Sequence, residues 1–246
     1  MIKYWFLPPR GTCQRWTLDI LQQPHALIAG QTGSGKSVAI NAIMHAALMD
    51  SPAKRQFILI DPKRVELIDF KDLPHVLRYA TEPADMAQAL DYAMEIIDAR
   101  YMQMQQRREK LYYDGKQGSD IYIIIDELAD LMTTQARRIE PVLTRIGQIG
   151  RAARVHYIAA TQHILSSVIT TPIKCNASAI LALHTRTWRD SYSLIGRKGC
   201  ETLPRFGQAY YISPEHDERI TIQPIPQDEQ KRVIDWWMDP KHTWQR

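Results

Sequence analysis

An eight-residue segment with three glycines constrains the fold of this chain most. It fits G-x-x-x-x-G-K-[ST] at every fixed position and reads Gly30-Gln31-Thr32-Gly33-Ser34-Gly35-Lys36-Ser37. Glycines let the backbone curl until its N–H groups point inward, where they can bind phosphate oxygens. The positive N-terminal end of a following helix favours the same anion. The segment therefore predicts a phosphate-binding loop between a strand at His25–Ala29 and a helix at Ser37–Met49.

A second segment carries the acidic residues expected opposite a bound triphosphate. The apolar strand Ile121–Ile125 ends in Asp126 and Glu127. Burial of adjacent carboxylates without a partner is costly, and a Mg²⁺ ion removes that cost. We predict that Asp126 holds the ion through water and that Glu127 polarises the attacking water as a general base. Lys36 can reach the β- and γ-phosphates, and the Ser37 hydroxyl can coordinate Mg²⁺.

Two further features lie downstream of the acidic pair. Gln162 follows the apolar run Val155–Ala160, where a polar side chain would face the γ-phosphate and sense its loss, although a simple polar strand cap is the alternative.

The stretch 137–154 contains five arginines and one opposing residue, Glu140. Spacing alone leaves two interpretations open for these arginines. They form a solvated helix face, or they include a finger supplied across a subunit interface.

Composition places the chain among soluble globular proteins. The 246 residues are 45% hydrophobic and 24% charged, and no apolar run reaches the roughly 18 residues of a membrane span. Three cysteines without ligand-like spacing argue against a disulfide framework or a zinc site, so we expect a reducing, cytoplasmic setting. The net charge of +4 permits a polyanionic partner without requiring one.

Short apolar strands alternate with helical patterns, which predicts an α/β fold with a mostly parallel central sheet flanked by helices. Further strands are predicted at Gln56–Ile60, Ala179–Leu183 and Gln208–Ile212, and further helices at Pro83–Met104, Pro141–Gly150 and Asp228–Met238. Loops are predicted at Arg10–Gln14, Lys71–Tyr79, Tyr113–Asp120, Gln162–Lys174 and Arg197–Arg205. We expect one domain over residues 24–226, preceded by a short extension (1–23) and followed by a helix and tail (227–246).

The order of these motifs resembles the motor core of the FtsK/SpoIIIE DNA translocases, in the wider FtsK–HerA group of P-loop ATPases. The resemblance covers roughly Pro24–Ile212. Beyond the phosphate loop, it is carried by Asp61-Pro62-Lys63 with Glu66-Leu67, and by the run from Asp126 to Met132. Such a resemblance implies a RecA-like fold, a ring hexamer, ATP and Mg²⁺ as cofactors, and movement of double-stranded DNA through the ring.

The resemblance also assigns roles residue by residue. Gly30–Ser37 match the Walker A loop, so these residues, with Val38 after them, are expected to bind ATP. Asp126 and Glu127 match Walker B, and Gln162 matches the sensor glutamine. Arg151 lies in the segment of the trans-acting finger, and Arg145 is the next candidate.

The chain departs from the family pattern at several points. His163 and Tyr192 stand where family members carry arginine, about two dozen residues precede the phosphate loop, and no membrane anchor or winged helix is recognised. We therefore expect a DNA-transfer ATPase of a conjugative or mobile element, working with a membrane or relaxase partner. Two alternatives stay open: an ATPase for type VII-like protein export, and a nucleotide-gated docking module with negligible turnover.

Overall fold

The structure is a computed structural model that describes residues 14–112 and 119–240. In this part of the chain, eight strands form one sheet in the order β3-β2-β4-β5-β1-β6-β7-β8. The strands are β1 (His25–Ala29), β2 (Arg55–Ile60), β3 (Val76–Ala80), β4 (Asp120–Ile125), β5 (Val155–Thr161), β6 (Ala179–Ala182), β7 (Gln208–Ile212) and β8 (Asp217–Thr221). The helices are α1 (Arg15–Gln22), α2 (Lys36–Ala47), α3 (Pro83–Arg107), α4 (Leu128–Ala153), α5 (Thr171–Asn176), α6 (Trp188–Ile195) and α7 (Gln227–Met238).

The sheet is mostly parallel, as predicted. All pairings from β3 through β6 are parallel, whereas β7 and β8 add to one edge as antiparallel strands. Strand β1 and the Ile121–Ile125 run of β4 are buried along their whole length. Such continuous apolar strands are typical of a sheet that helices cover on both faces. The structure thus confirms the predicted α/β class.

Alternate residues of each strand supply two separate cores, because side chains of a strand point to opposite faces. On one face, Leu27 and Ala29 of β1 belong to a cluster that includes Leu90 of α3 and Leu143 of α4. On the other face, Ala26 and Ile28 belong to a cluster with residues of α1, α2 and α7, among them Ile20, Ile40 and Trp237. Helices α1 and α7, which lie in the terminal segments 1–23 and 227–246, therefore pack on the same face as the helix that follows the phosphate loop.

Several predicted boundaries are wrong, for identifiable reasons. The predicted loop Lys71–Tyr79 contains most of β3, whose first four residues are only partly buried and include Arg78, so its apolar signal is weak. Helix α5 begins inside the predicted loop Gln162–Lys174. The helix predicted at Pro141–Gly150 is the second half of α4, which continues through Pro141 and has non-helical dihedral angles at Gln135.

Besides β3 and α5, three further described elements were not predicted from the sequence. Strand β8 is exposed at four of its five positions, and α1 and α6 are only eight residues long. The predicted loops Arg10–Gln14 and Tyr113–Asp120 lie mostly outside the described residues. Among the helices that the structure describes, none combines the length and the apolarity that crossing a bilayer requires.

Candidate functional site

The phosphate loop connects the end of β1 to the first turn of α2, at the carboxyl edge of the sheet. Gly33 and Gly35 adopt positive φ angles of 75° and 99°, which side chains with a Cβ rarely tolerate. A Cβ on Gly30 would lie 2.5 Å from the Cβ of Leu183, so the segment that follows β6 approaches the loop too closely for any other residue. The backbone N–H of Gln31 also donates to the carbonyl of His184 at 2.9 Å. The glycines thus permit a tight loop that is anchored to its neighbouring strand.

Lys36 joins this loop to the acidic pair. Its ammonium is 4% exposed and donates to the Asp126 carbonyl oxygen at 2.8 Å and to the Asp126 carboxylate. Burial raises the pKa of the Asp126 carboxyl above its ordinary value, the Lys36 ammonium opposes this shift, and Glu66 and Asp61 reinforce it. A buried carboxylate at this position therefore requires a cation beside it.

Glu127 is completely buried and receives several hydrogen bonds. The Thr161 hydroxyl donates to its Oε1 at 2.6 Å, and the backbone N–H groups of Gln162 and Ala129 donate at 3.2 and 3.4 Å. The bond from Ala129 makes Glu127 the N-cap of α4. The Lys63 ammonium lies 3.4 Å from the other carboxylate oxygen. These contacts hold the carboxylate in one orientation, which a general base needs.

The predicted sensor residue contacts the phosphate loop directly. The Thr32 hydroxyl donates to Gln162 Oε1 at 2.7 Å, while the Gln162 backbone N–H donates to Glu127. One residue at the end of β5 therefore contacts both the tip of the loop and the acidic pair. The sequence predicted the position of Gln162 at this edge, but the Thr32 contact was not predicted.

The donors and acceptors at the site fit a metal-bound triphosphate. Among the described residues, Asp126 Oδ2 and Ser34 Oγ are buried and have no hydrogen-bond partner. The Ser37 hydroxyl donates to the Glu66 carboxylate. Hydroxyl and carboxylate oxygens are the ligands that Mg²⁺ prefers, and an unpartnered buried hydroxyl suits a phosphate oxygen. Ser37 and Asp126 could therefore hold the metal ion.

Sequence reasoning assigned no site role to two charged residues, Lys63 and Glu66, although both belong to segments that carry the family resemblance. Both lie in the segment after β2, near the acidic pair because β2 pairs directly with β4. Within this segment, Asp61 is buried and accepts hydrogen bonds from the Leu67 N–H and the Tyr79 hydroxyl. The signal was present in the sequence, since Asp61-Pro62 follows an apolar strand as Asp126-Glu127 does.

The two candidate finger residues are exposed on α4. Within the described part of the chain, neither Arg145 nor Arg151 forms a side-chain ion pair or hydrogen bond with the site. Neighbouring arginines are engaged elsewhere, since Arg138 pairs with Asp91 and Arg154 pairs with Asp120. An exposed guanidinium is what a finger directed at a neighbouring subunit requires, and the role of Arg145 and Arg151 stays a prediction.

Solved structures of P-loop ATPases resemble this fold. The pCW3 conjugation coupling protein TcpA superposes with a TM-score of 0.76 at 21% identity, over 89% of this chain and 66% of TcpA. The cytoplasmic domain of the Thermomonospora curvata type VII secretion ATPase EccC superposes with a TM-score of 0.66 at 23% identity, over 87% of this chain and 28% of EccC. The predicted RecA-like P-loop fold is therefore confirmed.

Sequence comparisons identify relatives of higher identity. The protein named DNA translocase FtsK of Leptospira interrogans is 37% identical over 235 residues, which cover 89% of this chain and 25% of the relative. The protein of the same name in Staphylococcus aureus is 37% identical over 224 residues, covering 84% and 28%. The chain thus spans about a quarter of the length of these relatives. The FtsK/SpoIIIE family model matches residues 6–120 and 113–166, and the chain belongs to this family.

Proposed function

We propose that this chain is a Mg²⁺-dependent ATPase motor that moves double-stranded DNA, with ATP bound at the subunit interfaces of a ring. One observation carries the proposal. The ends of β1, β4 and β5 bring Lys36, the Asp126–Glu127 pair and Gln162 into one hydrogen-bonded group around the phosphate loop. Family membership supports the same activity, because the relatives are named DNA translocases.

In this proposal, the chain binds and orients the triphosphate mainly through the phosphate loop. The backbone of Gly30–Ser37 and the N-terminal turn of α2 surround the phosphates, and Lys36 neutralises them. Ser37 and Asp126 would hold a magnesium ion, which would neutralise phosphate charge. Burial of Lys36 and Asp126 excludes water and strengthens these electrostatic contacts.

Glu127 is the proposed general base. It accepts the proton of the attacking water, while Thr161 and the Gln162 backbone keep its carboxylate oriented. The Gln162 side chain, which contacts Thr32, responds to the presence of the γ-phosphate. In a ring, Arg151 or Arg145 of a neighbouring subunit contributes the positive charge that this site lacks on its own.

The finer part of the proposal concerns the biological setting. We infer a DNA-transfer role for a conjugative or mobile element, in the cytoplasm and with a membrane or relaxase partner. This inference is supported by the likeness of the fold to TcpA, which is named a conjugation coupling protein.

The test is steady-state ATP hydrolysis measured against duplex DNA and against protein concentration. We expect the rate per subunit to rise in both titrations. Glu127→Gln should lower kcat about 100-fold or more and leave ATP affinity within about twofold. Rates that stay flat in both titrations would refute the motor. Stimulation by peptide in place of DNA would instead favour protein export, and unchanged function in Glu127→Gln would favour a docking module.

A further inference from the structure

The segment that follows β2, residues 61–67, is fixed at both of its ends and is called the β2 loop below. Asp61 is fully buried, and its backbone N–H donates to the carbonyl of Ala80 in β3 at 2.9 Å. Asp61 Oδ2 accepts a hydrogen bond from the backbone N–H of Leu67 at 3.0 Å, and Leu67 is also fully buried. One side chain therefore joins the two ends of the loop, which gives the residues between them a defined position.

The β2 loop turns at Arg64. This residue has a φ angle of 56°, in the left-handed region that residues other than glycine rarely adopt. Its backbone N–H donates to the carbonyl of Asp61 at 3.2 Å. Val65, the next residue, is 66% exposed, whereas Glu66 is only partly exposed. The turn thus returns the chain to the domain at Glu66.

Glu66 contacts the first turn of α2. Its carboxylate accepts a hydrogen bond from the hydroxyl of Ser37, which is one of the two residues proposed to hold the metal ion. A serine hydroxyl has one proton and two lone pairs, so it can ligate a cation with its oxygen while its proton points to an acceptor. In this structure the acceptor is Glu66. The contact therefore leaves the lone pairs of Ser37 Oγ available to a metal ion.

The other acidic residue proposed to hold the metal ion has a different partner. The Lys36 ammonium contacts Asp126 at its carbonyl oxygen and at its Oδ1. Asp126 Oδ2 is buried and, within the described residues, has no hydrogen-bond partner. Lys36 thus positions Asp126, whereas Glu66 positions Ser37.

The charge of Glu66 also suits a place beside a cation. Among the residues that the structure describes, Glu66 forms no ion pair with a basic side chain. Glu82 differs in this respect, because it pairs with Arg64 at the turn of the same loop. A partly buried carboxylate without a cation is costly, and a nearby positive charge relieves that cost.

We propose that Glu66 is a positioning residue of the magnesium site and that it acts through the Ser37 hydroxyl. By accepting the hydroxyl proton, Glu66 keeps the lone pairs of Ser37 Oγ available to the metal ion that accompanies the triphosphate. The proposal rests on the ATPase function proposed above and deepens it. It makes the β2 loop a third segment of the site, which determines how much magnesium strengthens nucleotide binding.

Two other roles of the same contact make different predictions. A carboxylate at the N-terminal turn of a helix stabilises the helix through its dipole. If that is the whole role of Glu66, its loss weakens nucleotide binding equally with and without magnesium. If Glu66 only occupies the place of the metal ion in the empty site, its loss increases the effect of magnesium.

The experiment measures the affinity of the full chain for AMP-PNP by calorimetry, once with Mg²⁺ and once with EDTA. The ratio of the two affinities is the strengthening by magnesium. Glu66→Ala should reduce this ratio about tenfold and change the affinity in EDTA less than about twofold, because only the partner of a metal ligand is lost. Glu66→Gln keeps an acceptor oxygen for Ser37, so its ratio should stay within about threefold of the wild type. Glu82→Ala is the matched control, because Glu82 contacts the β2 loop away from Ser37, and its ratio should not change.

A double variant tests whether Glu66 acts through Ser37. Ser37→Ala should reduce the ratio at least as far as Glu66→Ala, and the combination of both should be no lower than Ser37→Ala alone. The positioning role is overturned if the double variant is clearly lower, or if Glu66→Ala leaves the ratio unchanged or increases it. Equal losses of affinity in Mg²⁺ and in EDTA, or an equal reduction of the ratio in Glu82→Ala, also overturn it.

Failure of the proposed ATPase function gives a different result. A wild-type chain that binds no AMP-PNP under either condition contradicts that function itself. Wild-type affinity that is equal with and without magnesium contradicts the metal site, and with it the positioning role. A wild type that responds to magnesium, with a ratio that Glu66→Ala leaves unchanged, contradicts only the role of Glu66.

Discussion

Lys36, the first residue of α2, donates a 2.8 Å hydrogen bond to the backbone carbonyl of Asp126 at the end of β4. The loop containing Lys36 follows β1, and β5 lies between β1 and β4 in the sheet. One side chain therefore spans an intervening strand and joins the two motifs that define the candidate site. The same ammonium contacts the Asp126 carboxylate, so it balances a buried negative charge as well as being positioned for phosphate.

Replacement of Lys36 should therefore affect stability as well as nucleotide binding. Lys36→Met leaves the Asp126 carboxylate buried without its cation, which should lower the free energy of unfolding by about 3 kcal/mol. Lys36→Met combined with Asp126→Asn should recover most of that loss, because no unpaired charge remains, yet should bind no ATP. Urea denaturation and ATP calorimetry measure the two effects separately. A double variant no more stable than Lys36→Met would contradict the proposed charge balance.

The candidate site was largely predictable from sequence where its residues follow apolar strands. Asp126, Glu127 and Gln162 each come after such a strand, and parallel strands bring their carboxyl ends to one edge. Lys63 and Glu66 were recognised only as part of the family resemblance. Their place in the site was not predicted because they lie in an irregular loop, where no periodicity indicates which side chain faces the site. Their contacts follow from the pairing of β2 with β4, which is a tertiary relationship.

The difference between apolar runs and less regular segments also explains the errors in the predicted secondary structure. Continuous apolar runs such as Ile121–Ile125 are buried on both faces and were recognised, whereas β3 and β8 lie at the two edges of the sheet. An edge strand exposes part of its surface, so polar residues such as Arg78 and Arg219 interrupt its apolar pattern. The length of α4 was missed because Pro141 predicts a helix start, while the structure continues the helix through it.

Two glycines in α4 should respond differently to alanine. A Cβ on Gly150 would lie 2.2 Å from the Val155 carbonyl oxygen, a backbone atom that cannot move aside, whereas a Cβ on Gly147 would meet the side chain of Asn176. Gly150→Ala should therefore destabilise the fold by about 2 kcal/mol. Gly147→Ala should destabilise the fold less, by about 1 kcal/mol, because Asn176 Cβ at 2.6 Å can shift only with the short helix α5 and the gain in helix propensity offsets part of the cost. The midpoints of thermal unfolding compare the two variants. Equal midpoints would mean that α4 packs on β5 less closely than the structure shows.

His75 should make stability depend on pH. Burial lowers its pKa from 6.5 to about 4, against the opposing hydrogen bond from its Nε2 to the Asp50 carbonyl. Between these two values the unfolded chain binds the proton more readily, so stability falls as the pH falls. From about pH 6.5 to about pH 5, this one histidine should contribute a loss of about 1.5 kcal/mol.

His75→Gln removes that titration and keeps an amide donor for Asp50. We expect the variant to be less stable at neutral pH but to show a pH slope that is shallower by about 1.5 kcal/mol over the same range. His25, whose pKa burial lowers to about 3, remains in the variant and accounts for part of the residual slope. Urea midpoints at four pH values give the comparison. If the urea midpoints of the wild type and His75→Gln depend on pH in the same way, His75 binds its proton as readily in the folded chain as in the unfolded chain.

Mixing experiments can identify the arginine finger, because its site belongs to two subunits. Arg151→Ala should bind ATP but hydrolyse it at least about 100-fold more slowly, as should Glu127→Gln. In a mixed ring, some interfaces combine the intact Glu127 of one subunit with the intact Arg151 of the other. Mixing the two inactive variants should therefore restore part of the ATPase rate. The matched control for Arg151→Ala is Arg145→Ala, because Arg145 is also an exposed arginine of α4. If an inactive Arg145→Ala recovers activity with Glu127→Gln and Arg151→Ala does not, Arg145 is the finger. If neither arginine variant recovers activity on mixing, the finger lies outside α4.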